Sequence, residues 1–188
     1  DLSENAMQPM NSPDHKVHIV YNGEIYGYKS LKEELAKKYL FRTSSDTEVI
    51  LNAYLEYGEE FVDRIDGIFA MAIYDERIQK VYLYRDRIGV KPLYYYYDGT
   101  GFAFASELKA LRKLMDDVPW TIDRLAVYDY LFYQYVPEPK SMYEKVYKLR
   151  PATKLVFDVQ ENRITGEDKY WTIKVNASAG RRRKKEDI

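Results

Sequence analysis

Three residues near the start of the sequence carry groups that could act on a carbonyl substrate. Asn22 and Gly23 follow a short apolar run, and Asp46 stands between Ser45 and Thr47. An Asn side-chain amide beside a Gly backbone N–H can supply two donors for a developing oxyanion. A carboxylate such as Asp46 can bind an ammonium group. Together these residues could stabilise negative charge at one point and hold a cation at another.

Each of these residues also has a purely structural interpretation. Asn-Gly is a common turn dipeptide, so Asn22 and Gly23 could end a strand over 17–21. Ser45 and Glu48 have the spacing of a capping box, in which Asp46 would only complement the helix dipole. From the residues alone, both interpretations stay open.

Two further charged segments attract attention. The run from Tyr84 to Leu93, YRDRIGVKPL, predicts exposed ion pairs at the end of a strand, which contribute little to stability. The basic run from Arg181 to Lys185 could contact nucleic acid, but a single basic run in a polar segment is typical of a solvated linker.

Composition excludes several classes of function. The 188 residues include no cysteine and two histidines, and the formal net charge is -1. Disulfides, thiolate metal sites and a cysteine nucleophile within these residues are therefore excluded, and a metal site is not expected. No apolar run is long enough to span a bilayer. The composition fits a cytoplasmic protein without nucleic-acid or membrane partners.

The elements that must position the candidate residues follow from periodicity and turn signals. Strands are predicted over 17–21, 41–43, 68–74, 81–84, 92–97, 102–105, 153–158 and 163–170. Helices are predicted to begin at Ser30, Ser45 and Ser106, with a further helix over 122–132. Asp98-Gly99-Thr100-Gly101 predicts a hairpin. This order indicates an α+β fold with antiparallel sheets.

Hydrophobic spacing also predicts which helix faces are buried. Leu31 and Leu35 lie on one face of the first helix, and Gly58 is expected to end the second. In the helix over 122–132, Leu125 and Leu131 are expected to point inward.

A series of motifs, taken in order, resembles one known family. The motifs occupy 8–10 (QPM), 21–26 (YNGEIY), 43–50 (TSSDTEVI), 66–70 (DGIFA), 85–95 (RDRIGVKPLYY) and 105–111 (ASELKAL). This series resembles the class II glutamine amidotransferase domain. The later segments 130–137, 148–151 and 170–171 resemble the glutamine-hydrolysing asparagine synthetases within that family.

The resemblance implies a fold and a reaction. The fold is the N-terminal-nucleophile type, a four-layer αββα sandwich of two antiparallel sheets between helices. In the reaction, an N-terminal cysteine attacks the glutamine side-chain amide, releases ammonia and forms a thioester that is hydrolysed to glutamate. A second, ATP-dependent synthetase domain then uses the ammonia to amidate aspartate.

The resemblance also assigns roles to particular residues. Asn22, through its side chain, and Gly23, through its backbone, match the oxyanion hole. Glu24 and Asp46 match the groups that hold the α-ammonium end of glutamine. No metal or cofactor is implied for this domain, whereas ATP and Mg²⁺ are expected in the synthetase domain.

The departures from the family pattern concern the two ends. The nucleophilic cysteine, an arginine for the glutamine carboxylate and the first strands are expected upstream of Asp1. The synthetase domain is expected after Ile188. We therefore expect an amidotransferase domain over 1–175, a linker over 176–188, and no glutaminase activity from these residues alone.

Two alternatives compete with the glutaminase. One is a non-catalytic amidotransferase-like domain, as in β-lactam synthetase, which keeps the fold without the cysteine. The other is an interaction module that uses the basic run over 181–185. The expected partners of the glutaminase are glutamine, the synthetase domain of the same polypeptide and a second subunit in a homodimer.

Overall fold

A computed structural model of the chain describes residues 6–174. The strands are β1 (Met10–Asn11), β2 (Val17–Tyr26), β3 (Asp66–Asp75), β4 (Lys80–Arg85), β5 (Tyr94–Tyr97), β6 (Phe102–Ala105), β7 (Val146–Lys148), β8 (Thr153–Asp158) and β9 (Arg163–Lys169). The helices are α1 (Tyr28–Leu35), α2 (Asp46–Tyr57), α3 (Leu108–Leu114) and α4 (Arg124–Tyr133), and a 3₁₀ helix (Gly58–Arg64) follows α2. The linker predicted over 176–188 lies outside the described residues.

The strands form two antiparallel sheets. The larger sheet has the order β1-β2-β3-β4-β8-β9, and the smaller has the order β6-β5-β7. β2 and β3 pair without interruption from Val17↔Asp75 to Tyr26↔Asp66. The strand predicted over 17–21 therefore continues through the Asn22-Gly23 dipeptide, and the turn predicted there is wrong.

Three apolar clusters stack the elements in four layers. The first joins α1 and α2 to one face of the large sheet, through residues such as Leu31 and Ile50. The second lies between the sheets, where the Phe102 and Phe157 rings stack with centroids 4.2 Å apart. The third joins Leu111 of α3 to the outer face of the small sheet. The predicted αββα arrangement is confirmed.

β3 is buried on both faces, as its apolar run predicts. Phe69, Met71 and Ile73 pack towards the helices, while Ala70 and Ala72 pack between the sheets. The strand predictions over 81–84, 102–105 and 153–158 and the hairpin after β5 are confirmed as well.

At the charged end of β4, Arg85 and Asp86 are buried, which corrects the prediction of exposed ion pairs there, whereas Arg87 does form an ion pair with the exposed Asp66. Asp86 is 0% exposed, and its carboxylate accepts from four backbone N–H groups, those of Phe69, Ile88, Val90 and Lys91. The guanidinium of Arg85 donates to the carbonyls of Gly89, Lys91 and Leu149 and to the Glu138 carboxylate. These two residues fold the segment upon itself and join it to β3.

The predicted start is confirmed for α2 but not for α1 and α3. Ser45 caps α2 as predicted, with its side chain accepting from Thr47 N at 3.2 Å, and Gly58 ends the helix at φ 60°. However, α1 begins after Gly27 in the left-handed conformation, so Ser30 is not its cap. The cap position of α3 is Glu107 rather than Ser106, and neither helix has a side-chain cap bond.

The strand predicted over 41–43 does not form. Instead, the backbone N–H groups of Arg42 and Thr43 donate to the two carboxylate oxygens of Glu48, at 2.8 and 2.7 Å. Glu48 therefore ties down the preceding loop, and only half of the predicted capping box is present.

The inward orientation predicted for Leu125 and Leu131 is wrong. Their residues are 67% and 73% exposed, and Ala126 is the one buried residue of α4. Periodicity finds an apolar face, but it does not say whether anything within the domain covers that face.

Candidate active site

The candidate residues centre on a strand edge that is open over part of its length. β1 pairs with β2 only at Ile19 and His18, so within residues 6–174 no strand pairs with this edge beyond that point. The N–H of Tyr21 donates to Gln8 Oε1 at 2.5 Å, and the N–H of Ile25 donates to Asp46 Oδ2 at 3.3 Å. Because alternate residues of a strand direct their N–H groups to the same side, the N–H of Gly23 faces this open edge too.

Asn22 and Glu24 present their side chains on one face of β2. Both are exposed, and they alternate with Tyr21 and Ile25, which are buried against the helices. The amide Nδ2 of Asn22 donates to Ser106 Oγ at 3.5 Å. A contact of this length is weak, so the amide is oriented but remains able to donate to another acceptor.

A cleft of about 250 Å³ lies beside Asn22. Its polar lining includes Gln8, Asn22 and Ser106, and its walls include Ala70 and Ala72 of β3, Phe104 of β6 and Leu93, which precedes β5. The cleft therefore combines apolar walls with a few hydrogen-bonding groups, a combination that is typical of small-molecule sites.

Asp46 is fixed at the same edge by its position at the start of α2. Its Oδ2 accepts from the Tyr21 hydroxyl at 3.0 Å and from the N–H of Ile25. The helix N-terminus favours a carboxylate at this position. Since Ser45 performs the capping, Asp46 is available to connect the helix to the β2 edge.

Tyr21 supports this arrangement as a neutral donor. Burial and the adjacent Asp46 carboxylate raise the pKa of its hydroxyl far above the usual value. The hydroxyl therefore keeps its proton at physiological pH and continues to donate to Asp46.

Glycine at position 23 is required by the close approach of β3. A Cβ there would lie 2.2 Å from Ile68 O and 2.7 Å from Phe69 Cα. Gly67 on β3 is equally constrained, because its Cβ would lie 2.2 Å from Glu24 O. The two glycines let the two backbones meet next to the candidate donors.

The structure thus places all four predicted residues around the second half of β2. Asn22, Gly23 and Glu24 are consecutive on the strand, and Asp46 is bonded to the next residue, Ile25. Sequence reasoning missed the roles of Tyr21 and Ser106. Both belong to the quoted motifs, but only their spatial contacts distinguish them from other core and capping residues.

A larger cavity, of about 510 Å³, lies elsewhere, against α2 and β1. Glu48 lines it, but its two carboxylate oxygens already accept from the loop before α2. Among residues 6–174, no group of three or more His, Cys, Asp or Glu could hold a metal ion. Nor is any helix in that part of the chain long and apolar enough to cross a membrane.

The two antiparallel sheets between helix layers define the fold of the protein as the N-terminal-nucleophile type. The structure resembles glutamine phosphoribosylpyrophosphate amidotransferase from Bacillus subtilis, with a TM-score of 0.59, 18% identity and coverage of 88% of this chain and 32% of that one. A structure described as the allosteric regulatory enzyme of purine biosynthesis gives a TM-score of 0.61 at 17% identity, over 90% and 32% of the two chains. At these identities the likeness concerns the fold alone.

The chain belongs to the glutamine amidotransferase domain family, whose model matches residues 1–171. It is 42% identical to asparagine synthetase [glutamine-hydrolyzing] 1 of Bacillus subtilis, over 80% of this chain and 24% of that protein. It is 37% identical to putative asparagine synthetase [glutamine-hydrolyzing] 2 of Methanocaldococcus jannaschii, over 92% of this chain and 36% of that protein. The chain thus spans about a quarter to a third of the length of these relatives.

Proposed function

We propose that this chain forms the glutamine-binding part of the glutaminase site in a glutamine-hydrolysing asparagine synthetase. The observation that carries the proposal is the open edge of β2, where the Gly23 N–H, the Asn22 amide and the carboxylates of Glu24 and Asp46 occur around the second half of the strand. The membership of the family and the names of the relatives support the choice of glutamine.

In this proposal, Asn22 and Gly23 act on the side-chain amide of glutamine. A thiolate adds to the amide carbon, and the carbonyl oxygen takes the negative charge. The Asn22 Nδ2–H and the Gly23 N–H then donate to that oxygen. The C–N bond breaks, the nitrogen takes a proton and leaves as ammonia, and water hydrolyses the thioester to glutamate.

Glu24 and Asp46 act at the other end of the substrate. Their carboxylates balance the charge of the α-ammonium group and accept its hydrogen bonds. The connection of Asp46 to the N–H of Ile25 and to Tyr21 holds its carboxylate beside the strand that carries the oxyanion donors.

The nucleophile must be supplied from outside these residues, because the sequence contains no cysteine. We propose an N-terminal cysteine upstream of Asp1, together with a binding group for the glutamine carboxylate. The 188-residue chain alone is then expected to bind glutamine weakly and to hydrolyse none.

The remaining parts of the proposal concern the longer polypeptide. Ammonia passes to a synthetase domain that uses ATP and Mg²⁺ to activate aspartate, and the cytoplasm is the proposed location. A homodimer is the proposed assembly. The relatives' length beyond the matched segment leaves room for such a domain.

The test compares two polypeptides, the 188-residue chain and a form extended upstream to the start codon of its gene. Glutamate release from glutamine without ATP is expected only from the extended form. In that form, Asp46→Asn should raise the KM for glutamine by about 10–100-fold through loss of a charge-assisted contact, with a smaller change in kcat. Glutamine binding without hydrolysis by a well-folded extended form would instead indicate a non-catalytic domain.

A further inference from the structure

α4 is a well-formed helix with an unusually apolar surface. Asp123 caps its start by accepting from Leu125 N at 2.8 Å, and Gln134 ends it in the left-handed conformation at φ 67°. Its large apolar residues are largely exposed, with Tyr128 at 77% and Phe132 at 79%. Because both ends are properly capped, this exposure does not come from a frayed helix.

The exposed residues form a continuous surface. Leu125, Tyr128 and Phe132 follow the i, i+3, i+7 spacing of one helix face, and Leu131 lies next to them. The surface extends beyond the helix, since Tyr133 lies against both Phe132 and Tyr135, with ring centroids 4.8 and 6.1 Å apart. We call these six residues the α4 surface.

Few charged residues lie within or beside the α4 surface. Within α4 only Arg124 and Asp129 are charged, and Asp129 forms an ion pair with Lys140 of the following loop. Ala126 is the buried residue of the helix, and backbone bonds such as Asp123 N to Met142 O anchor its start. No other helix or strand of residues 6–174 packs extensively on it. A contiguous apolar patch of this kind is typical of an interaction site.

We propose that the α4 surface docks the polypeptide that continues beyond this domain in the asparagine synthetase relatives. This inference rests on the proposed function, because it takes that continuing polypeptide as the partner. The chain corresponds to 24% and 36% of the two relatives described above, so most of each relative lies outside the matched segment. A partner in the same polypeptide is present at high effective concentration, so an apolar surface of modest size suffices for docking.

The partner should therefore present a largely apolar groove or helix face that receives aromatic side chains, with few charges at its centre. Docking would hold the amidotransferase domain in one orientation relative to the domain that consumes its ammonia. A second copy of this chain is the competing occupant, and it makes a different prediction for the state of assembly.

The test uses the full-length polypeptide of the gene and hydrogen exchange measured by mass spectrometry. Tyr128→Gln with Leu131→Gln removes two exposed anchors while keeping good helix formers. Amide exchange is expected to become at least about tenfold faster in α4 and in a segment beyond residue 188. The control is Leu114→Gln on α3, since Leu114 is 67% exposed, the same as Leu125. This variant should leave both segments unchanged.

Two results would overturn the proposal. The first is unchanged exchange in the double variant, which would mean that α4 faces solvent. The second is faster exchange in α4 alone together with dissociation of a dimer in sedimentation, which would identify a second copy as the occupant. Glutamine hydrolysis without ATP, measured on the wild-type preparation, tests the proposed function separately, because none of the α4 residues belongs to the site.

Discussion

The β2 edge and the segment after β4 both carry polar residues beside the large sheet, yet they use them in opposite ways. Asp86 is fully buried, and its carboxylate accepts from four backbone N–H groups. Asn22 and Glu24 are exposed, and the contact between Asn22 and Ser106 is long. In the segment after β4 the fold uses the hydrogen-bonding capacity of the carboxylate, whereas at the β2 edge part of the hydrogen-bonding capacity is unused within the fold and is available to the proposed substrate.

The difference teaches that residue type does not separate structural from functional polar groups. The Arg-Asp-Arg run attracts attention as a charged motif, but its first two residues hold a loop in place. The Asn-Gly dipeptide suggests an ordinary turn, but it lies in the middle of a ten-residue strand. What separates the two regions is whether a partner in the fold already satisfies each group.

The largest effect on stability is expected at Asp86, whose carboxylate accepts four hydrogen bonds within the fold. Asp86→Ala leaves four donors without an acceptor in a buried position, so we expect a loss of about 3–5 kcal/mol in the free energy of unfolding. Urea denaturation of the 188-residue chain measures this. Asp116→Ala, at an exposed aspartate, is the control and should change stability by no more than about 0.5 kcal/mol. Equal effects of the two substitutions would contradict the structural role of Asp86.

The β2 edge should show the reverse pattern, with a loss of activity and little loss of stability. In the extended polypeptide, Asn22→Ala is expected to lower the kcat of glutamine hydrolysis by about 10²–10³-fold, because one oxyanion donor is lost. The melting temperature should barely change, since the side chain is exposed. Ser106→Ala removes only the residue that orients the amide, so its effect should be smaller. An unchanged kcat in Asn22→Ala would refute the assignment.

Gly23 combines a structural and a proposed functional use, because it permits close packing and also offers a donor. Gly23→Ala places a Cβ against the β3 backbone, and we expect a destabilisation of about 1–3 kcal/mol or more. Gly101→Ala is the matched control, because its Cβ would meet its nearest neighbour at 3.8 Å, an ordinary contact. The melting temperatures of both variants, measured by thermal unfolding, test this expectation. A Gly23→Ala chain as stable as the control would show that β3 can move away.

The smallest effect concerns the pH dependence of another structural carboxylate, Asp75. Hydrogen bonds from Arg77 and Tyr54 outweigh burial and hold its pKa below the ordinary 3.8. Asp75 therefore contributes stability above that value, and this contribution is lost as the pH falls through the lower folded pKa. Melting temperatures of the wild type and of Asp75→Asn between pH 6 and pH 2 should converge at the acid end. Parallel curves would show that Asp75 does not contribute to acid unfolding.

Sequence reasoning succeeded where the determining contacts are local. The hairpin at Asp98–Gly101 and the start of α2 at Ser45 depend on neighbours within a few residues, and both are confirmed. The layer architecture followed from the family resemblance, whose motifs extend over most of the chain.

The failures occurred where the determining contacts are distant along the chain. Arg85 donates to Glu138 and to the carbonyl of Leu149, and no pattern near Arg85 indicates either partner. The exposure of Leu125 depends on which surfaces the domain leaves uncovered, which helical periodicity cannot express. For the site, the four residues were predicted, but the open edge that makes the Gly23 N–H accessible emerges only from the strand order.

The paired glycines of β2 and β3 have a consequence for any attempt to redesign this protein. A shift of one residue between the strands would bring side chains to the points where Ile68 O and Glu24 O now approach Gly23 and Gly67. It would also exchange the two faces of β2, so that Asn22 and Glu24 would turn towards the helices. The two glycines thus specify the register in which β2 and β3 pair. New substrate specificity can be sought by changing the side chains around these glycines, whereas a change in the register of β2 against β3 would displace all the proposed donors together.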